Sequence, residues 1–154
     1  YFNPNISPES EYIKRVNEVK RLIEEMPECE DVKFLEGRYN PNEFYDCAKG
    51  LEDAPEGGER CLKCFRLRFK ETANAAAKAS SEYVCTTLTI SPLKNADNLN
   101  KIGEEECEKL GLKWLPSDFK KKNGYKRSIE LSSEYDLFRQ NYCGCVFSKR
   151  NSVV

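Results

Sequence analysis

From Ser10 to about Met26 the apolar residues Ile13, Val16, Val19, Ile23 and Met26 recur at helical spacing, with Ser7-Pro8-Glu9 as a start and Pro27 as a stop. Val32-Lys33-Phe34-Leu35 reads as a short strand closed by Gly37 and Pro41, and Asn42 to about Lys49 as a short helix. Pro55-Glu56-Gly57-Gly58-Glu59 is an acidic, Gly-rich loop. A long helix follows from about Cys61 to Ala79, its apolar stripe being Leu62, Phe65, Phe69, Ala73 and Ala76. The run Tyr83–Ile90 is β-branched and fits a buried strand, ended by Ser91-Pro92. Asn95 to Leu110 is helical again with Gly111 at its C-terminus, Leu112–Leu115 is a strand, and Gly124–Gln140 forms one or two helices. Strands alternating with helices predict a single-domain α/β sandwich over residues 1–148 with a mostly parallel sheet. Residues 149–154 are expected to be a mobile tail. At the other end, Tyr1-Phe2 running into the turn Asn3-Pro4-Asn5 reads as the end of a strand whose beginning is absent, so the sequence is expected to be a fragment.

Composition narrows the chemistry. The 154 residues carry a net charge of −1, so only local basic patches argue for nucleic acid. With no histidine among them, Ser-His-Asp and Cys-His sites, His-ligated zinc and imidazole switches are excluded. Metals must take thiolate or oxygen ligands, and acid–base work falls to Asp, Glu, Lys, Tyr or Cys. The eight cysteines are a high share. The N-terminal residues lack the charged and apolar regions of an export signal, and no apolar window approaches a transmembrane length. A reducing cytoplasm, with free thiols and no disulfide scaffold, is therefore the expected setting.

Two cysteine pairs stand out. Cys61-Leu62-Lys63-Cys64 lies at a helix N-terminus, where the helix dipole and the cations Arg60, Lys63, Arg66 and Arg68 favour thiolates. Residues three apart share a face, so both sulfurs can serve one partner. In Cys143-Gly144-Cys145 the glycine lets the backbone curl until both thiols point at one ion. Together the pairs offer four soft ligands, for which spacing leaves zinc and an iron–sulfur cluster equally available. Cys29, Cys47, Cys85 and Cys107 have no neighbour at ligand spacing and read as core or incidental cysteines. Asp118-Phe119-Lys120-Lys121-Lys122, with Lys126 and Arg127, fits either phosphate contacts or a solvated face. Ser91-Pro92-Leu93-Lys94-Asn95 follows a strand where α/β folds place ligand loops, although a plain strand–helix turn fits equally well. Arg139 and Gln140, just before the second cysteine pair, suit either a substrate contact or a helix cap.

Several motifs in order resemble the QueH family of epoxyqueuosine reductases: Asn3-Pro4-Asn5-Ile6, Pro55 to Cys64, Thr86 to Asn95, Asp118 to Lys121, and Arg139 to Ser148. The resemblance covers essentially the whole chain. It implies a Rossmann-like α/β domain that reduces epoxyqueuosine in a tRNA anticodon to queuosine, the last step of queuosine synthesis. It also implies a four-iron four-sulfur cluster with an adjacent iron ion, an external electron donor, and Cys61, Cys64, Cys143 and Cys145 as ligands. Asp118 and Tyr142 are the candidate proton donors by motif position. Lys94, Asn95, Lys120, Lys121, Arg139 and Gln140 are the candidate substrate-binding residues. The family carries a further Cys-Cys-x-Pro-Cys motif upstream of the Asn-Pro-Asn-Ile turn, and a histidine where this chain has Ser7. A zinc-stabilised RNA-binding module and an inactive truncated relative are the alternative expectations.

Overall fold

The computed structural model describes residues 1–150. Its elements run α1 (Glu9–Glu25), α2 (Pro41–Ala48), α3 (Glu59–Lys78), β1 (Tyr83–Val84), α4 (Ala96–Glu108), β2 (Lys113–Trp114), α5 (Gly124–Glu134) and α6 (Val146–Arg150), with 3₁₀ turns at Pro27–Cys29 and Thr87–Ile90. Most of the expected tail, residues 151–154, lies outside the described residues. The chain divides into two compact units, one of Tyr1–Tyr45 with the residues from Ile129 onward, the other of Asp46–Ser128.

The second unit is built on a β1–α4–β2 crossover. β1 and β2 pair in parallel, Tyr83 opposite Lys113 and Val84 opposite Trp114. A parallel pair needs such a crossover, and a helix fills it here. α3 packs against α4 through Phe65, Phe69, Leu99 and Ile102, with Leu62 and Trp114 at the margin. The Trp114 indole lies so close to Gly103 that a Cβ there would overlap it. Asn95 caps α4 by accepting from the Asn98 amide at 2.9 Å, a common way to satisfy an unpaired helix-start N–H. Gly111, at φ +67°, ends the helix as expected.

The first unit gathers Ile6, Tyr12 and Val16 with Phe34 and Tyr39, the Tyr12 and Tyr39 rings stacking at 4.3 Å. The buried face of α1 is Tyr12, Arg15 and Val16; of the expected stripe Val16 is buried, whereas Ile13 is 50% exposed.

Two expected strands are corrected, and one helical region is narrowed. Val32–Leu35 forms no strand, because Val32 and Leu35 are both exposed and the segment has no ladder partner among the described residues. The strand expected over Tyr83–Ile90 stops at Val84; the Thr86 hydroxyl accepts from the Leu88 amide at 3.2 Å and turns the chain into a 3₁₀ helix. The region Gly124–Gln140 holds one helix that ends at Glu134, where Asp136 turns left-handed at φ +47° and the Leu137 amide reaches back to the Ser132 carbonyl at 2.8 Å. The mostly parallel sheet is thus, among the described residues, one parallel pair in a helix-rich α/β fold.

Candidate active site

In the second unit, the Gly-rich loop packs on the α3 N-terminus, the Lys94 loop pairs with it, and the Asp118–Lys121 segment joins the Lys94 loop in turn. The Gly57 amide donates to Cys61 Sγ at 3.3 Å, seating the Gly-rich loop against the first thiol. Cys64, one turn on, is buried. Arg60 is also buried, and its Nη1 donates to the carbonyls of Leu51, Glu52 and Ala54 at 3.0, 3.0 and 2.6 Å. It therefore anchors the preceding loop. Arg66 is likewise engaged, pairing with Glu105 at 2.6 Å and Glu106 at 2.7 Å.

Lys94 turns inward, its side chain 9% exposed, to pair with Glu56 at 3.0 Å and lie 6.0 Å from the Phe65 ring centre. Its carbonyl accepts from Lys120 Nζ at 3.4 Å. Asp118 then holds Lys120 at 2.6 Å and Lys121 at 3.2 Å. These lysines, Lys120 first, keep the Asp118 carboxyl below its ordinary value, so it is a carboxylate at neutral pH. Lys94, Asp118, Lys120 and Lys121 are therefore brought together, and Glu56, an acidic-loop residue inside a family motif with no role of its own in the sequence analysis, joins them as the partner of Lys94. Asn95, spent on the α4 cap, has its side chain turned to the helix.

In the first unit, the Cys143-Gly144-Cys145 turn is held from several sides. Arg15 is 8% exposed, pairs with Glu11 at 2.8 Å, and donates to the carbonyls of Cys143 at 3.1 Å and Tyr142 at 3.3 Å. Asn5 Nδ2 donates to the Cys143 carbonyl at 3.4 Å, and the Ser7 amide to the Gly144 carbonyl at 2.9 Å. Gly144 sits at φ +104°, and a Cβ there would stand 2.8 Å from Ile6 and 2.9 Å from Arg15. Only glycine suits that position. Arg15 escaped sequence reasoning, since a cation in an amphipathic helix normally marks the solvent face.

The two sulfurs of this turn are 3.5 Å apart. Cys145 is buried and accepts from the Ser148 amide at 3.3 Å; the adjacent Cys143 thiol and burial push its own thiol well above the ordinary range. Burial, with Glu11 nearby, raises the Tyr142 phenol, which lies 5.2 Å from the Arg15 guanidinium carbon. Arg139 donates to the Ser132 hydroxyl at 2.9 Å, and Gln140 is exposed.

The cysteine turn fits a soft metal. Two thiolates on one tetrahedral ion, with metal–sulfur bonds of about 2.3 Å, stand about 3.8 Å apart, close to the separation here. Asn5 Oδ1, buried beside the turn, has no hydrogen-bond partner and is free to accept from a group that the site takes up. Each unit presents a thiol pair, and among the described residues no set of three or more Cys, Asp or Glu is gathered on one ion. Of the other cysteines Cys107 is buried and belongs to the core, Cys85 is exposed, and Cys29 and Cys47 are intermediate.

A family model described as epoxyqueuosine reductase QueH matches residues 1–151. A relative from Streptococcus pyogenes serotype M1 with that name is 44% identical over 153 residues, 97% of this chain and 60% of the relative. One from Staphylococcus epidermidis is 43% identical, covering 96% of this chain and 64% of the relative. One from Thermotoga maritima is 37% identical over 151 residues, 96% of this chain and 77% of the relative. The chain spans less than two thirds of the streptococcal and staphylococcal proteins.

Proposed function

Because this chain belongs to the QueH family of epoxyqueuosine reductases, we propose that it reduces epoxyqueuosine in a tRNA anticodon to queuosine. The reaction takes two electrons and two protons: both C–O bonds of the epoxide break, a carbon–carbon double bond forms, and the oxygen leaves as water. An external donor supplies the electrons. The observation that carries this reading is the second thiol pair, 3.5 Å apart and fixed by a buried arginine in a chain without histidine.

Cys61, Cys64, Cys143 and Cys145 are the proposed ligands of a four-iron four-sulfur cluster and an adjacent iron ion. Such a centre, when bound, passes electrons singly and offers a Lewis acid for the epoxide oxygen. The two candidate proton donors have different tasks. Tyr142 keeps its proton through neutral pH and has one to give, whereas Asp118 is ionised and fixes Lys120 and Lys121 toward tRNA phosphates. Lys94, Asn95, Arg139 and Gln140 complete the proposed substrate contacts, Asn95 through the loop that it ties to α4. Residues 1–148 act as one reductase domain of Rossmann-like type, a reading supported by the parallel β1–α4–β2 crossover. No described helix is long and apolar enough to cross a membrane, and the setting proposed is cytoplasmic.

Anaerobic reconstitution with iron and sulfide, followed by elemental analysis, tests this assignment. Stoichiometric iron and acid-labile sulfide are expected, lost in Cys61→Ala and Cys143→Ala but retained in Cys29→Ser. Zinc without iron, or equal loading in all three variants, contradicts it.

A further inference from the structure

The turn from Ser117 to Arg127 is built with unusual care for a surface loop. Thr89, fully buried, accepts from the Phe119 amide at 3.3 Å, hydrogen-bonds the Ser117 hydroxyl at 3.1 Å, and offers its carbonyl to the Lys120 amide at 3.3 Å. Asn100 holds Ser117 from both sides, at 3.0 and 2.9 Å. Lys122 and Asn123 are consecutive left-handed residues at φ +51° and +65°, a conformation that costs free energy in non-glycine residues. At Gly124 a Cβ would overlap the Phe119 carbonyl oxygen. This framework displays apolar rings to water: Phe119 is 43% and Tyr125 38% exposed. The same stretch carries Lys120, Lys121, Lys122, Lys126 and Arg127, of which Lys120 and Lys121 pair with Asp118. Lys122 and Lys126 have no ion-pair partner among the described residues, and α5, which begins here, has no buried residue.

A solvated loop needs cations but not exposed rings on a strained, pinned backbone. Rings interleaved with cations suit unpaired bases, which stack on aromatic faces while lysines meet the phosphates; a duplex would use the lysines alone. We propose that this turn docks the single-stranded loop of the substrate RNA, Phe119 stacking on an unpaired base and Lys121, Lys122, Lys126 and Arg127 meeting phosphates. The identity of that RNA as a tRNA anticodon loop rests on the function proposed above.

Fluorescence anisotropy with the whole chain tests it, using an anticodon stem–loop and a blunt RNA duplex of equal length. The wild type is expected to favour the stem–loop. Phe119→Ala and Phe119→Leu weaken stem–loop binding about tenfold and erase that preference with little change in salt dependence, while Phe119→Trp keeps it. Lys121→Ala with Lys126→Ala lowers the salt slope by about 1.5 and leaves the loop preference intact. Normal loop preference in Phe119→Ala and Phe119→Leu overturns the docking surface and leaves the reductase reading standing. A wild type that binds neither RNA overturns both. Loss in these variants of binding to an acidic electron-carrier protein, with RNA binding unchanged, assigns the surface to a protein and overturns the proposal.

Discussion

Arg15 illustrates how a single side chain can determine a site. Its guanidinium is almost wholly buried, is charge-balanced by Glu11, and spends two donors on the carbonyls that bracket Cys143. Fork geometry is what reaches both carbonyls, and a lysine offers one point charge in its place. Arg15→Met is therefore expected to weaken cobalt(II) binding by the Cys143–Cys145 pair at least tenfold in a spectroscopic titration, with Arg15→Lys restoring only part. Unchanged affinity in Arg15→Met would show that the turn holds its shape unaided. Gly144→Ala places a methyl against Ile6 and Arg15 at a left-handed position, and should lower stability to denaturant by about 2 kcal/mol or more.

At the scale of elements, the α3–α4 pair carries both the core and an ion cluster centred on one buried carboxylate. Glu106 is 3% exposed and meets Lys109 at 2.6 Å and Arg66 at 2.7 Å. Burial pushes its carboxyl up, but these two partners outweigh burial and leave it below the ordinary value. Since the folded form then holds its proton less tightly than the unfolded chain does, the contribution is present above the ordinary carboxylate range. It is lost as pH falls through the folded value. Glu106→Gln should cost about 2 kcal/mol at pH 7 in urea unfolding, and the difference should shrink below pH about 4. A pH-independent difference would assign the loss to packing.

The elements also show what the sequence made legible. α3 and α4 were readable because helical periodicity is local: Phe65, Phe69 and Ala73 reveal the buried face without reference to any partner. Strands were less readable, since a ladder depends on distant residues. Thus Val32–Leu35 read as a short strand yet has no ladder partner among the described residues, and Thr86 ended its strand by capping locally. The cysteine pairs were visible as spacing, Lys120–Lys122 as a charge run, Lys94 by its loop after a strand, and Asp118 through the family resemblance. Their supports, Arg15, Glu56, Thr89 and Asn100, were not, because each acts across a long stretch of sequence on the backbone or side chains of another segment.

For the whole molecule, the family match runs from residue 1 to 151, while the chain spans 60% of its streptococcal relative. The function proposed for it therefore has to be tested on this chain itself. The most direct measurement is mass spectrometry of nucleosides from epoxyqueuosine-containing tRNA, incubated anaerobically with the iron- and sulfide-reconstituted protein and a chemical reductant. The account predicts conversion of epoxyqueuosine to a nucleoside one oxygen lighter, abolished by Cys143→Ala and Cys145→Ala. Epoxyqueuosine left intact by fully loaded wild-type protein would contradict it.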